Sequence, residues 1–349
     1  MIGIDKIKIF YVKFLVFYRL MFIKIIRHII FKKHDYKKST KILINRDGAF
    51  GDSIVAIPSI SVIRQNFPSA QIDLLTFSDH GITFSDIELK DNLVNNILVK
   101  NKKNRFITLT NLKKNKYDLF IQLPQNLGLY KSLRNMIIVR FFIGIKSAFG
   151  WDSGRIKSFT KTQKKHLTIP TETQRLLNNL KTEGLRGKTS YPIEIKIPHE
   201  KTVIDLLKRK VAVFIIGGKL KIKKWPLKSW VNLANLIGED YEIIIIGGPS
   251  EIEEAKYIKS RTKNSYNFCN KFSISELFFV FKNSQIAISN DTGAMHLCDA
   301  TGTIVIGLFS TKELSPKWYP NNKKAIVIED NDSIANISPT KVYNVIKSF

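Results

Sequence analysis

The chain has 349 residues and carries 56 Lys and Arg against 29 Asp and Glu, a formal net charge of +27. This length allows two domains with sizeable cores, and the charge favours anionic partners: nucleic acid, anionic lipid or phosphorylated substrates. The two cysteines, Cys269 and Cys298, show neither a disulfide framework nor metal-ligand spacing, which fits a reducing cytosol. No uninterrupted apolar run reaches the roughly 18 residues of a membrane-spanning helix.

The first segment, Ile4–Lys33, predicts a helix whose large apolar residues are interrupted by basic ones. At about 100° per residue, one narrow stripe of this helix holds Lys6, Lys13, Lys24, Arg27 and His28. A wide apolar face beside a basic stripe is typical of a helix that lies in an anionic membrane surface. The alternative is a helix packed on the following domain. Residues 1–38 are assigned to this amphipathic helix and its linker.

The next segment predicts a β-loop-α-β unit. Its elements are the strand Lys41–Asn45, the loop Asp47–Asp52, the helix Ser53–Phe67 with a kink at Pro58, and the strand Gln71–Thr76. The loop lacks the spaced glycines of a dinucleotide fingerprint and the Gly-Lys-Ser/Thr of a P-loop. Asp52 stands at the helix start, where it is either a functional carboxylate or only an N-cap.

The rest of the first half continues the alternation of short strands and helices. The predicted elements are the strands Ile97–Val99 and Leu119–Gln122, a basic helix or loop over Lys100–Lys116, a turn over Phe149–Gly154, and the helices Thr171–Leu185 and Glu200–Lys210. The alternation restarts near residue 200. We therefore assign residues 39–195 to a first Rossmann-like domain and residues 196–349 to a second one.

In the second half, three loops follow predicted strands at their carboxyl ends: 217–224, 247–251 and 290–293. Because the carboxyl ends of parallel strands share one edge of a sheet, we expect these loops to converge. Their glycines, lysines and carboxylates suit a nucleotide diphosphate, which needs close backbone approach, positive charge and acceptors for ribose hydroxyls. Asp291 either holds a sugar hydroxyl or is only an N-cap.

Four segments in a fixed order carry a family resemblance. They are Ile42-Leu-Ile-Asn-Arg with Phe50-Gly-Asp-Ser-Ile54 and Ile57-Pro-Ser-Ile60, then Lys223-Lys-Trp-Pro226 with Trp230, then Gly247-Gly-Pro-Ser-Glu251, and finally Ser289-Asn-Asp-Thr-Gly-Ala-Met-His296. The set resembles glycosyltransferase family 9, best known for the ADP-heptose:lipopolysaccharide heptosyltransferases, and it spans residues 40–330.

The resemblance implies the GT-B architecture, an α/β fold with two Rossmann-like doubly wound domains that face each other across a cleft, here with a basic amphipathic helix in front. It also implies an inverting transferase with no metal and no cofactor, which moves heptose from ADP-heptose to a Kdo or heptose of the lipid-anchored inner core. By resemblance, Asp52 is the general base, and the donor-binding residues are Lys223, Lys224, Glu251, Asp291, Thr292, Gly293 and His296. The expected location is cytoplasmic, peripheral on the inner face of the inner membrane.

A second acidic motif, Glu329-Asp-Asn-Asp332, is similar to the Asp-x-Asp metal site of another glycosyltransferase class. It lies outside the three loops, and we interpret it as a solvated turn. The sequence also allows other functions. Gly217 and Gly218 stand where the family often has Ser or Thr, and Phe272 stands where a smaller aliphatic residue can face adenine; these departures allow another donor or another surface-glycan acceptor.

Two further alternatives belong to different classes of protein. The net charge allows a nucleic-acid-binding protein, but the basic residues are scattered, so we expect no nucleic-acid partner. The fold alone also allows a non-catalytic module that binds a nucleotide sugar.

Overall fold

The computed structural model describes residues 2–31, 36–77, 81–90, 92–100, 104–124, 128–151, 169–310 and 315–349. The chain divides into two compact units, Met1–Pro192 and Ile193–Phe349. Each unit has its own parallel sheet covered by helices, so the α/β architecture with two doubly wound domains is confirmed.

The first unit contains a five-stranded parallel sheet in the order β3-β2-β1-β4-β5. Its strands are β1 (Lys41–Asn45), β2 (Gln71–Phe77), β3 (Asn96–Lys100), β4 (Leu119–Gln122) and β5 (Ser147–Phe149). Every residue of β4 is buried, as expected for a strand in a parallel sheet that is covered on both faces. The turn predicted over Phe149–Gly154 is wrong at its start, because Ser147–Phe149 pairs with β4 as a strand; residues 152–154 lie outside the described ranges.

The helices of the first unit are Ile2–Ile30, Phe50–Ile54, Ile57–Asn66, Arg105–Lys114, Leu129–Ile137 and Glu172–Thr182, with a π-helical stretch over Ile138–Ile143. The single kinked helix predicted over Ser53–Phe67 is wrong. Two helices occupy the segment, and Pro58 lies in the first turn of the second one. A proline fits there because the first N–H groups of a helix have no partner within it.

The described side chains by which the N-terminal helix Ile2–Ile30 packs on the first unit lie in its last turns. Ile23 is fully buried in the core, and Phe31 stacks on Trp151 with ring centroids 5.4 Å apart. Arg27, a member of the predicted basic stripe, pairs with Glu183 of the unit instead of facing outward. None of the described helices is long and apolar enough to cross a bilayer.

The second unit contains a six-stranded parallel sheet in the order β11-β10-β9-β6-β7-β8. Its strands are β6 (Val211–Ile215), β7 (Glu242–Ile246), β8 (Ser265–Asn267), β9 (Ile286–Asn290), β10 (Ile304–Ser310) and β11 (Ile326–Asp330). The short edge strand β8 had no counterpart among the predicted strands. The helices are Lys201–Leu207, Leu227–Ile237, Ile252–Lys259, Ile274–Lys282, Gly293–Ala300 and Pro339–Ile346.

Candidate functional site

The three loops that the sequence places at strand ends follow β6, β7 and β9, which are neighbours in the second sheet. Their closeness can be measured at Gly217 in the loop after β6. A Cβ atom built on Gly217 would lie 3.7 Å from Oε2 of Glu251 and 4.0 Å from Oγ1 of Thr292. The three loops therefore converge within van der Waals distance of one point. We call this group of loops the donor-side loops, after the role that the family resemblance implies for them.

Asn290, the last residue of β9, holds two of the donor-side loops together. It is fully buried, and its side-chain amide donates to the carbonyl oxygen of Ile216 at 2.8 Å. Its side-chain oxygen accepts from the backbone N–H of Trp225 at 3.0 Å. Sequence reasoning assigned Asn290 only to a turn. The sequence offered one signal for this role. Asn290 lies between an apolar strand and Asp291, and an amide that is buried at a strand end must find hydrogen-bond partners.

Lys223 and Asp291 form an ion pair across two of these loops. The Nζ atom of Lys223 lies 2.5 Å from Oδ2 of Asp291, and their side chains are 24% and 14% exposed. The helix Gly293–Ala300 has Thr292 as its N-cap residue. The alternative that Asp291 is only an N-cap is therefore wrong, since the aspartate precedes the cap and binds a lysine.

Lys224 is engaged by two carboxylates. Its Nζ atom donates to Oε1 of Glu251 at 2.8 Å and to both oxygens of Glu254 at 2.9 Å. Burial opposes the charge of Lys224, but these hydrogen bonds outweigh it and raise the lysine pKa. Lys224 thus contacts Glu251 rather than standing free beside the loops. Glu254, which sequence reasoning missed, follows Glu251 by three residues, a spacing that brings side chains together on a helix.

Glu251 is held as a carboxylate with a fixed orientation. It is only 5% exposed, and burial alone would raise its pKa. Hydrogen bonds from Lys224, the Ser250 hydroxyl and the Gly248 N–H lower the pKa instead. Gly247 is required beneath it, because a Cβ there would lie 2.6 Å from Cβ of Glu251. The loop therefore presents an ionised acceptor of defined position.

His296 lies in the helix that follows Thr292. It is 5% exposed, and its ring meets Trp318 edge-on with centroids 6.1 Å apart. Asp299 lies one turn further along the same helix, and burial raises its pKa although the charge of His296 and hydrogen bonds from Asn321 and Asn322 oppose this. The histidine is thus largely enclosed by the unit, and a contact to phosphate or sugar stays a prediction.

A cavity of about 20 Å³ adjoins the Lys223–Asp291 pair, lined also by Leu308, Ser310 and Ile334. This volume holds about one water molecule.

In the first unit, Asp52 occupies the third position of the helix Phe50–Ile54, whose N-cap residue is Ala49. Its Oδ2 atom accepts from the backbone N–H of Ala49 at 3.2 Å. Its Oδ1 atom is buried, accepts no hydrogen bond, and lies 3.5 Å from Nη2 of Arg46. Asp52 is therefore not the N-cap residue. One carboxylate oxygen of Asp52 accepts a hydrogen bond at the helix start, and the other faces the buried guanidinium of Arg46.

Arg46 is held in place by a second buried carboxylate. Its side chain is fully buried, and Nη1 lies 3.2 Å from Oε1 of Glu172. Glu172 is also buried and pairs with Arg175 at 2.7 Å. We call Arg46, Glu172 and Arg175 the arginine network. Sequence reasoning missed it, because 126 residues separate Arg46 from Glu172 and no local pattern links them.

The acidic run Glu329–Asp332 begins in the last two residues of β11 and continues into the turn after it. Oδ1 of Asp330 accepts from the backbone N–H groups of Asp332 and Ser333 at 2.8 and 2.9 Å, and from the Asn336 side chain. These hydrogen bonds lower the pKa of Asp330. The geometry is that of a capped turn at the end of a strand.

Comparison with known proteins identifies the family of the chain. The model of glycosyltransferase family 9 (heptosyltransferase) matches residues 106–344. A lipooligosaccharide heptosyltransferase 2 from Campylobacter jejuni is 22% identical over 300 residues, which cover 83% of this chain and 87% of the relative.

Two solved structures show the same fold. The glycosyl transferase family 9 protein from Veillonella parvula aligns with a TM-score of 0.68 at 17% identity, over 88% of this chain and 96% of that one. The E. coli ADP-heptose lps heptosyltransferase II aligns with a TM-score of 0.64 at 18% identity, over 88% and 98% of the two chains. With the family model matching more than half of its length, this chain is a glycosyltransferase and belongs to family 9.

Proposed function

We propose that this glycosyltransferase moves a heptose from ADP-heptose to the inner core of lipopolysaccharide, with inversion at the anomeric carbon. The observation that carries the proposal is the arrangement of the donor-side loops, where Lys223, Asp291 and Glu251 lie on three neighbouring strand ends. A lysine for diphosphate and two carboxylates for sugar hydroxyls are what a nucleotide sugar requires. The names of the relatives in the same family supply the expectation of heptose and of ADP.

Some of the donor-side residues contact the nucleotide sugar, and others hold those residues in position. Lys223 binds the diphosphate, which takes the place of Asp291 as its anionic partner, and Asp291 is then available to a sugar hydroxyl. Glu251 accepts from the ribose hydroxyls, and Lys224 with Glu254 holds it in position. The N–H groups at the start of the helix Gly293–Ala300 add positive potential near Thr292.

Asp52 acts as the general base in the first unit. As the acceptor hydroxyl oxygen bonds to the anomeric carbon, the Asp52 carboxylate takes the hydroxyl proton and ADP leaves with the electron pair of the broken C–O bond. General-base help of this kind contributes about 10²–10⁴-fold. The arginine network fixes the orientation of Asp52, because Arg46 is buried between Asp52 and Glu172.

The leaving ADP gains negative charge on its terminal phosphate oxygen. In the proposed mechanism Lys223 and the helix start at Thr292 stabilise this charge electrostatically, and no metal ion takes part.

The N-terminal helix holds the enzyme on the cytoplasmic face of the inner membrane, where the lipid-anchored acceptor is made. Before its docked last turns, the helix exposes large apolar side chains, among them Phe10 at 72% and Phe17 at 63%, beside the exposed Lys13. Such a surface is stable against an anionic bilayer. Deletion up to Ser39 is an unsuitable test, because it would remove Ile23 and Phe31 from the core.

The reaction is tested by ADP release from ADP-heptose with a Kdo-lipid A acceptor, beside a panel of other nucleotide sugars. We expect acceptor-dependent turnover with ADP-heptose. Turnover with another donor alone would keep the family and change the substrate. Saturable binding of nucleotide sugars without turnover for any acceptor would favour a non-catalytic binding module.

The membrane role is tested by cosedimentation with phosphatidylglycerol vesicles. We expect Phe10→Ser with Phe17→Ser to weaken binding. Equal binding of variant and wild type would argue against the helix as the membrane contact.

A further inference from the structure

Three helical elements form the outer layer on one face of the first sheet. They are the last turns of the helix Ile2–Ile30, the helix Arg105–Lys114, and the continuous helical stretch Leu129–Ile143. All three bury side chains in one core, against Leu43 of β1 and Phe120 of β4. We call this group the outer helical layer.

The side of this layer that faces away from the sheet is unusually apolar. Seven large hydrophobic side chains outside the N-terminal helix are exposed in these elements: Phe106 at 82%, Ile107 at 63%, Leu129 at 36%, Tyr130 at 73%, Ile137 at 45%, Phe141 at 67% and Phe142 at 62%. Other residues of the same elements, such as Leu112 and Val139, pack in the hydrophobic core. Clustered exposure of this kind marks an interaction surface.

The charge around these side chains has one sign. Residues 104–116 and 128–146 together hold eight Lys and Arg and no Asp or Glu. Several of these basic side chains are exposed: Lys113, Lys114, Lys131, Arg134 and Lys146. An apolar surface with a basic rim is complementary to a bilayer that contains anionic lipid, because the apolar groups enter the interface and the cations meet the headgroup phosphates.

The layer is also joined to the N-terminal helix. Nε of Arg140 donates to the carbonyl oxygen of Ile30 at 3.1 Å, and the guanidinium of Arg140 lies 5.8 Å from the centre of the Phe141 ring. The exposed Phe141 is therefore held at a fixed position relative to the docked end of the helix. Two rigidly joined contacts would set the orientation of the unit on a membrane, which a single helix does not.

We propose that the outer helical layer is a second membrane-binding surface, specific for anionic bilayers, with Phe141 and Phe142 entering the lipid interface. This inference rests on the proposed membrane association of the N-terminal helix and adds a separate site to it. Its test uses no nucleotide sugar, so a failure of the proposed reaction would leave the result intact.

The direct test places an environment-sensitive fluorophore on the layer of the full chain. Cys269 and Cys298 are buried, so a new exposed cysteine takes the label selectively. We expect the NBD-labelled Phe142→Cys protein to show a blue-shifted, brighter emission with phosphatidylglycerol-containing vesicles, quenched by doxyl lipids. The matched control is Ile197→Cys, whose parent residue is 66% exposed in the second unit, and it should not respond.

A second variant measures how much Phe141 and Phe142 together contribute to the affinity for vesicles. We expect Phe141→Ser with Phe142→Ser to lower the affinity for these vesicles by about tenfold, since two apolar side chains leave the interface. Ile197→Ser with Leu236→Ser is the control and should bind as wild type does.

Three results would overturn the proposal. One is a bound protein whose Phe142 label does not respond. Another is an equal response to pure phosphatidylcholine vesicles. The third is a vesicle-free dimer that the Phe141 and Phe142 substitutions dissolve, which would make the surface an interface between two copies of the chain.

Discussion

The two units share a parallel-sheet architecture but differ sharply in charge. Residues 1–192 carry 34 Lys and Arg against 13 Asp and Glu, a net charge of +21, whereas residues 193–349 carry 22 against 16, a net charge of +6. Most of the large apolar side chains that are exposed among the described residues also belong to the first unit. Most of the net positive charge of the chain thus lies in the first unit.

The two units also use positive charge differently. In the second unit, Lys223 and Lys224 are paired with carboxylates in and beside the donor-side loops, so their charge is directed at a local site. In the first unit, Arg46 is the buried partner of Asp52 and Glu172, while most of the other basic residues whose side chains the structure describes are exposed. We infer that the first unit combines membrane contact with the general base and that the second unit recognises the nucleotide.

The largest effect is expected at Asp52. Replacing Asp52 with Asn keeps an oxygen that can accept from Ala49 but removes the base, so kcat should fall by about 10²–10⁴-fold. Donor affinity should stay unchanged, because the donor-side loops are untouched. Asp47→Asn, in the same loop, is the matched control and should retain most of the activity. Equal losses in both variants would show that the loop, rather than the base, had been disturbed.

The arginine network should govern the stability of the first unit. Glu172→Ala leaves Arg46 and Arg175 without their buried partner, and we expect the free energy of unfolding to fall by about 3–5 kcal/mol. Chemical denaturation measures this change. Glu253→Ala removes an exposed carboxylate from Lys256 and should cost about 1 kcal/mol or less. A cost for Glu172→Ala no larger than that of the control would contradict the role assigned to the network.

The next effect concerns Lys223 and the affinity of the enzyme for ADP. We expect Lys223→Met to weaken ADP affinity by roughly 10–100-fold, the equivalent of losing a charge-assisted hydrogen bond. Titration calorimetry with ADP measures it. Lys219→Met, in the same loop but exposed, should bind ADP as wild type does. Unchanged affinity in Lys223→Met would remove this lysine from the donor site.

The smallest effect concerns the pH dependence of the Lys224–Glu251 pair. The folded-state pKa of Glu251 is lowered and that of Lys224 is raised, because each hydrogen-bonds the other. The pair therefore stabilises the fold above the ordinary carboxyl pKa of about 4.3 and below the ordinary lysine pKa of about 10.4. Its contribution is lost as pH falls through the lowered carboxyl pKa or rises through the raised lysine pKa.

We expect Lys224→Met to cost on the order of 1 kcal/mol at neutral pH. Denaturation curves should show this difference constant between about pH 5 and 9 and shrinking in stronger acid. A difference that grows as the pH falls below the carboxyl pKa would contradict the pairing.

Local pattern was enough to predict most of the fold. The apolar strands at Lys41–Asn45 and Leu119–Gln122 were predicted with the bounds they have, because buried parallel strands are short, continuous apolar runs. The edge strands β5 and β8 were missed, since three residues of mixed polarity carry no such signal. The break before Pro58 was mistaken for a kink, because a proline marks a helix start and a helix bend alike.

The residues of the candidate site also include some that the sequence predicted and some that it did not. Asp52, Glu251 and Asp291 stood out because each follows a strand end beside glycines. Arg46 with Glu172, and Asn290 with Trp225, could not be paired from sequence, because their contacts join segments far apart in the chain. Lys224 was predicted as a donor-binding residue, but its contact with Glu254 at 2.9 Å could not be predicted from the sequence.

The division of work between the units is tested most directly by comparing two variants in one pair of assays. ADP-heptose affinity is measured by calorimetry, and single-turnover transfer to a Kdo-lipid A acceptor is measured at saturating donor, for Asp52→Asn and Lys223→Met. We predict that Asp52→Asn binds the donor as wild type does but transfers slowly, whereas Lys223→Met loses affinity first. Loss of donor affinity in Asp52→Asn, with full affinity in Lys223→Met, would contradict the assignment of base and donor site to the two units.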